Sequence, residues 1–286
     1  MVFDSVGLFG RYQDADVEET IVFLQSWLKN KGLQVFLGDT TASEISGMRV
    51  EESGRSLSKT IDVGIVVGGD GTMLHVARVL ADHDLPVIGV NLGRLGFLTD
   101  IPTESMEQKL EEILSGNFTI EKRSMLSTHV NRSDKQIAKF TALNDIFLSK
   151  GNTGRMIECE TKIDGQSVAR TRSDGIIVAT PTGSTAYALS VGGPILHPHL
   201  PAIVFAPICP HSLGQRPLVL DERSAIEIRV VDLAGATANF FVDGLRSLSL
   251  TGDETIYIER SKKITRLVRS KFHNHYETLS SKLGWG

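Results

Sequence analysis

Apolar positions along the first 117 residues fall into two alternating rhythms. Short unbroken runs, VGLFG at 6–10, LQVFL at 33–37, IDVGIVV at 61–67 and PVIGVN at 86–91, have the β-branched, two-sided character of strands inside a sheet. Between them lie stretches of helical period. In VEETIVFLQSWLKNKG at 17–32, Val17, Ile21, Leu24 and Leu28 share one face and Gly32 is placed to end the helix. TMLHVARVLAD at 72–82 and TESMEQKLEEILSG at 103–116 read the same way, the second with Thr103 as N-cap, Met106, Leu110 and Ile113 inward and Gly116 at its end. The polar segment 38–60 keeps neither rhythm and reads as loop. Strands alternating with helices predict an α/β domain over residues 1–117, with a parallel sheet covered on both faces.

Beyond residue 117 the helical period nearly vanishes. MLSTHV, AKFTALNDIFLSK, RMIECETKID, DGIIVAT, AIEIRVVD, ANFFVD, ETIYIE and ITRLVR are short β-branched runs, which predict a mostly antiparallel, β-sandwich-like domain over 118–269. The final SKFHNHYETLSSKLGWG is compatible with helix, and residues 270–286 are expected as a tail packing back on the N-terminal domain.

Composition adds limits. With 286 residues, 41% apolar and 22% charged, the chain reads as a soluble globular protein of two domains, and no apolar run approaches a membrane span. The net charge of −4 is spread without like-charge blocks, so neither nucleic acid nor a membrane is an expected partner. The first residues lack the pattern of a secretory leader, and Cys159 and Cys209 form no CxxC pair. A reducing, cytoplasmic setting is expected, with both thiols buried in the core.

Two stretches carry candidate chemistry. GGDGT at 68–72 sets three glycines, Gly68, Gly69 and Gly71, around Asp70 where a strand gives way to a helix beginning near Thr72. Free N–H groups at such a start favour phosphate, and the carboxylate can take a proton from an attacking hydroxyl. A tight turn with Asp70 capping the helix explains the same residues. The segment fits neither GxxxxGK[ST] nor GxGxxG. DGIIVATPTGSTAYALSVGGPI at 174–195 breaks after a strand into Thr182, Gly183, Ser184, Thr185, Ala186 and Tyr187. Hydroxyls suit sugars and phosphates and a tyrosine ring can stack on a base, while a solvated turn with Tyr187 in the core is the plainer account.

Weaker signals surround these. Asn144 and Asp145 sit between apolar residues in LNDIF, as a bulge or as a grip on ribose or adenine. Arg172 and Asp174 flank the entry to the DGIIVATP strand, as a surface ion pair or as part of a nucleotide site. His75 follows Asp70 by about one turn, within reach of a phosphate or merely lining the domain face. His197, His199 and His211 lack the companion ligands of a zinc site, and Ser184 lies outside any GxSxG elbow.

Taken together, GGDGT, NLGRLGFLTD at 91–100, LND at 143–145, SDGIIVATPTGSTAYALSVGGPI at 173–195, FVDG at 241–244 and the terminal TLSSKLGW resemble the NAD kinase family over nearly the whole chain. GGDGT alone is shared with lipid kinases of the diacylglycerol and sphingosine type. The TPTGSTAY segment discriminates. The resemblance implies transfer of the ATP γ-phosphate to the 2′-hydroxyl of the adenosine ribose of NAD, giving NADP, with Asp70 as proton acceptor and Gly68, Gly69 and Gly71 shaping the phosphate turn. It further implies a divalent cation, Mg2+, on the ATP phosphates, with its protein ligands unassigned, and a homodimer or homotetramer. By the same resemblance Asn144 and Asp145 would meet the adenosine or its ribose, residues 182–187 would wrap the dinucleotide, Arg172 with Asp174 would lie toward the nicotinamide, and Arg155 and His75 would contribute. The site is expected between the domains. Leu245 stands after FVDG where the family often has glutamine, which removes a polar contact. A lipid kinase and a non-catalytic nucleotide-binding regulator are the alternatives.

Overall fold

Glycines and β-branched residues of the first third build strands that helices approach closely. The computed structural model describes residues 2–11, 14–39, 46–47, 60–93, 95–151, 155–233 and 237–285. It divides into two units, Met1–Lys122 with Thr265–Gly286, and Arg123–Ile264. The first unit contains β1 (Ser5–Gly10), α1 (Ala15–Asn30), β2 (Gln34–Asp39), β3 (Ser46–Gly47), β4 (Val63–Val67), α2 (Asp70–Asp82), β5 (Pro86–Asn91), β6 (Ile101–Pro102) and α3 (Met106–Leu114). Its strands run parallel in the order β2-β1-β4-β5, with Arg266–Leu267 from the end of the chain added in parallel beside Pro86–Val87.

One face of this sheet is buried by α1 and α3, through Val17, Ile21, Leu24, Leu110 and Ile113 against Leu8, Ile65 and Ile88. The other receives α2. A Cβ on Gly64 would lie 2.3 Å from Leu80 Cδ1, so the bare strand is what lets that helix settle. Because β1 leads to β2 on one side and β4 lies on the other, the carboxyl ends of β1 and β4 mark the point where strand order reverses. Open α/β sheets bind ligands there.

Arg123–Ile264 is a two-sheet sandwich. Its strands are the greater part of β7 (Phe118–Arg132), then β8 (Lys135–Ala142), β9 (Asp145–Lys150), β10 (Ile157–Ile163), β11 (Gln166–Ser173), β12 (Gly175–Ala179), β13 (Ala202–Ile208), β14 (Leu218–Asp221), β15 (Ile226–Asp232), β16 (Ala238–Val242), β17 (Leu245–Leu250) and the first part of β18 (Glu254–Ser270). One sheet is antiparallel in the order β14-β13-β12-β9-β16-β17, and β11-β10-β15-β18 make the opposing antiparallel array. Between them lies a core of Ile146, Ile176, Phe205, Ile228, Phe240 and their neighbours. Two-residue turns at Asp164-Gly165 (φ 51° and 77°) and Asp243-Gly244 (φ 48° and 77°) close hairpins in the manner that suits the twist of antiparallel strands. The short helix α4 (Tyr187–Ser190) helps bury the outer face of β12 and β13 through Ala188. The chain ends in α5 (His275–Leu283), with Asn274 as N-cap, and this helix belongs to the first unit.

Several expectations change in detail. Helix α2 begins at Asp70 rather than near Thr72, with Gly69 as the capping residue, so Asp70 is not the cap. Thr103 does not cap α3: residues Thr103–Ser105 form a 3-10 turn and the α-helix starts at Met106. ETIYIE and ITRLVR are one continuous strand, β18. Cys159 is buried, with its thiol pushed up to about 12 by burial and then by the Glu158 charge, but Cys209 is exposed at the end of β13 in a left-handed conformation. Of the segment 38–60, residues 40–45 and 48–59 lie outside the described residues. Among the described residues no helix is long and apolar enough to cross a membrane.

Candidate active site

The glycine turn of the first unit follows β4 at the reversal point of the sheet. Gly68 has φ 148°, and its N–H donates to Val90 O at 3.0 Å. A Cβ there would crowd Thr72, so Gly68 is a requirement of the fold. Gly69 and Gly71 are different. Both are exposed, neither has a positive φ, and open space surrounds the position of an added Cβ at each. The fold itself therefore does not demand glycine at 69 or 71, and their bare backbone is available to an incoming group at the helix start.

Asp70 occupies the first turn of α2 and turns its carboxylate onto the segment that follows β5. Oδ1 accepts from Leu98 N at 3.0 Å, Thr99 N at 3.2 Å and Thr99 Oγ1 at 3.3 Å, and Oδ2 accepts from Phe97 N at 2.9 Å. Thr99 is shared with Asn91, whose Oδ1 lies 3.3 Å from the same hydroxyl. Gly96 allows this approach. A Cβ on it would stand 2.1 Å from Asp70 Oδ1 and 2.4 Å from Thr99 Oγ1. With about two acceptor sites on each carboxylate oxygen, Oδ1 is saturated and Oδ2 keeps one site, so the two oxygens are not equivalent. His75 is not among the donors to Asp70; its Nε2 is buried without a hydrogen-bond partner, and burial, then the Arg78 charge, lowers its pKa.

In the second unit the LND residues and the TPTGST segment form one hydrogen-bonded body. Thr180 N donates to Asn144 O at 2.9 Å, and Thr180 Oγ1 donates to Leu143 O at 2.6 Å. Gly183 packs against this bend so closely that a Cβ would fall 2.1 Å from Asn144 O. From the hairpin turn between β16 and β17, the Asp243 carboxylate accepts from the N–H groups of Leu143 (3.1 Å), Asn144 (2.7 Å) and Asp145 (3.2 Å). Asp145 is buried beside it. Burial, and then the charge of Asp243, push the Asp145 carboxyl up to about 7.

The hydroxyls of the TPTGST segment are mostly spent internally. Ser184 is fully buried, its Oγ donating to Pro181 O at 2.6 Å and accepting from Leu196 N at 2.9 Å. Thr182 Oγ1 accepts from the buried Arg123 at 3.1 Å, and Thr185 Oγ1 donates to Thr182 O at 3.2 Å. Tyr187 is not a core residue: it is 37% exposed, with its ring edge-on to Phe147 at 5.1 Å, and Phe147 stacks on Phe241 at 4.5 Å. The Tyr187 hydroxyl is held above its ordinary pKa by burial and then by Cys209, Asp174 and Asp145.

Asp174 takes Lys150 as its ion-pair partner at 2.7 Å rather than Arg172. Arg172 is exposed on β11, where its carbonyl accepts from His211 N at 2.9 Å. Arg155 is exposed ahead of β10. His197 and His199 meet edge to face at 5.1 Å. Leu245, first in β17, is exposed. Sequence reasoning passed over Gly96, Thr99, Asp243, Lys150 and Arg123 as site residues. The motifs NLGRLGFLTD and FVDG contained three of them, but only contacts across many residues reveal their work.

Known proteins match the chain across both units. A family model described as the ATP-NAD kinase N-terminal domain matches residues 6–118, and one described as the ATP-NAD kinase C-terminal domain matches residues 143–270. An NAD kinase of Azoarcus sp. is 44% identical over 285 residues, covering 99% of this chain and 96% of that protein, and one of Pseudomonas putida matches to the same extent. Among solved structures, yeast NADH kinase complexed with NADH has a TM-score of 0.84 at 28% identity, covering 99% of this chain and 88% of that one. An NAD kinase from Archaeoglobus fulgidus in complex with ATP has a TM-score of 0.72 at 28% identity, covering 97% and 99%. The chain belongs to the NAD kinase family.

Proposed function

We propose that this kinase transfers the γ-phosphate of ATP to the 2′-hydroxyl of the adenosine ribose of NAD, forming NADP, with Asp70 Oδ2 receiving the hydroxyl proton. The observation that carries this is the unequal loading of the Asp70 carboxylate, where Oδ1 holds two backbone N–H groups, with the Thr99 hydroxyl shared between it and Asn91, and Oδ2 holds one N–H. The remaining site on Oδ2 suits a sugar hydroxyl, and the exposed backbone of Gly69 and Gly71 beside it suits the phosphates. Phosphoryl transfer through a loose transition state asks for positioning and charge neutralisation more than for a strong base, so a carboxylate that takes the proton late is sufficient.

On this reading Asn144 and Asp145 hold the adenosine or its ribose, and the exposed Tyr187 ring lies against the dinucleotide. Ser184, fully buried, shapes the segment instead of touching the ligand. Asp174, braced by Lys150, and Arg172 lie toward the nicotinamide end. Among the described residues no group of three or more His, Cys, Asp or Glu side chains is arranged to hold a metal ion. A divalent cation therefore fits as part of the metal–nucleotide substrate, held mainly by phosphate oxygens, and no step here runs through it. The lipid-kinase and regulator readings find no support in the relatives described.

The test is Asp70→Asn. It should bind NAD in a calorimetric titration while NADP formation from NAD, ATP and magnesium falls by about two to four orders of magnitude. Undiminished NADP formation would remove Asp70 from the chemistry.

A further inference from the structure

Asp70 is held by a segment that is itself held from behind. Arg269, 2% exposed near the end of β18, donates through Nη2 to Phe97 O at 2.8 Å and through Nη1 to Leu98 O at 3.0 Å. The peptide unit that carries Phe97 O also carries Leu98 N, and the one that carries Leu98 O carries Thr99 N. Both of those N–H groups donate to Asp70 Oδ1. The guanidinium and the carboxylate are thus joined by two rigid peptide planes, each with its C=O on Arg269 and its N–H on Asp70. A donor on the carbonyl also polarises the N–H across the same plane, so the two bonds reinforce each other.

The rest of the surroundings fix the guanidinium. Arg269 Nε donates to Glu121 Oε2 at 3.1 Å, Nη1 lies 2.8 Å from Asp100 Oδ1, and His273 Nδ1 lies 3.0 Å from the other oxygen of Asp100. Burial opposes the charge of Arg269, but Asp100 and Glu121 outweigh it and hold its pKa above the ordinary value. The segment is also packed closely against its neighbours. A Cβ on Gly89 of β5 would fall 2.8 Å from Thr99 Cα, and Lys282 of α5 places its ammonium 5.6 Å from the Phe97 ring.

We infer that Arg269 is a positioning residue for phosphoryl transfer, fixing the direction of the Leu98 and Thr99 N–H groups so that Asp70 Oδ1 stays occupied and Oδ2 faces the reacting hydroxyl. This rests on the reading of Asp70 as proton acceptor. The three donors of lysine radiate from one nitrogen and cannot reproduce the spread of Nε, Nη1 and Nη2 over two carbonyls and two carboxylates, so the fork of arginine is what the arrangement uses.

The test is a double-mutant cycle on the full chain. Arg269→Lys should melt as a folded protein, with KM for NAD and for ATP within about threefold of the parent and kcat lower by about ten- to a hundredfold. In the Asp70→Asn background the same substitution should change the residual rate by less than about twofold, because its effect passes through the carboxylate. A merely structural role would lower both rates alike, and that result, or a parental kcat in Arg269→Lys, overturns the inference. If Arg269→Lys does not fold, Glu121→Ala, which frees Nε alone, carries the same cycle with a smaller expected loss of kcat. A severely impaired Asp70→Asn beside a fully active Arg269→Lys would sink only the positioning role. Undiminished activity in Asp70→Asn would sink both.

Discussion

Asp145 and Asp243 show how one residue can be strained for the sake of its neighbours. Asp243 receives three backbone N–H groups, which favour its charged form, and burial followed by that charge pushes the Asp145 carboxyl up to about 7. In the unfolded chain an aspartate ionises near 3.8. Between that pH and about 7 the native state keeps a proton that the unfolded state has lost, so this group's contribution to stability declines as pH rises through the window and stays low above it. Asp145→Asn removes that dependence. Thermal melts of parent and variant should therefore shift in the variant's favour from pH 5 to pH 8; parallel curves would mean that Asp145 is already ionised at the lower pH. Gly96 presents the steric counterpart. Gly96→Ala forces a methyl against Asp70 Oδ1 and Thr99 Oγ1, and the expected result is a folded protein whose NADP formation falls at least tenfold, about the cost of a sub-ångström displacement of the acid.

At the scale of elements, what could be read in advance was whatever one face of one element decides. The stripe of Val17, Ile21, Leu24 and Leu28 defined α1, and the apolar runs at 61–67 and 86–91 defined β4 and β5, because in each the apolar positions are the buried ones. The strands that escaped are of two kinds: β13 is buried almost throughout yet was passed over, and others have little to bury. β14 and β17 are largely exposed, so they carry no alternation, and β18 was divided in two because polar residues between Glu259 and Lys263 interrupt its apolar run while its backbone continues. The candidate site was legible as motifs but not as a mechanism. Asp70 and LND announced themselves by composition, whereas the groups that brace them lie 27 to 29 positions from Asp70 and 98 to 100 positions from the LND residues. The hydroxyls of the TPTGST segment signalled ligand contact and turned out to serve mostly their own loop, since short polar side chains bond to nearby backbone as readily as to a substrate. The Asp243 hairpin turn gives the element-scale prediction. Asp243→Ala leaves three backbone donors without that carboxylate, which should cost about 1–3 kcal/mol in denaturant unfolding and weaken NAD in a calorimetric titration. Undisturbed NAD affinity would show that the LND bend holds without its brace.

Among the described residues each unit has a large core of its own, one around Leu8, Leu24 and Ile65 and one around Phe240 and Phe205. Phe240→Ala should destabilise by about 3–5 kcal/mol and speed amide exchange mainly in the β9, β12 and β16 strands, while α1 and β1 keep their protection. Equal loss in both would show that the cores unfold as one. The first unit is also discontinuous, with residues 123–264 inserted between its two parts. A ribosome delivers those parts far apart in time, so the glycine turn, Asp70 and the Phe97–Thr99 segment emerge long before the arginine that grips them. The nascent chain thus carries the Phe97–Thr99 segment without its arginine while the sandwich is still being made, and that grip forms only after the second part of the first unit has been delivered.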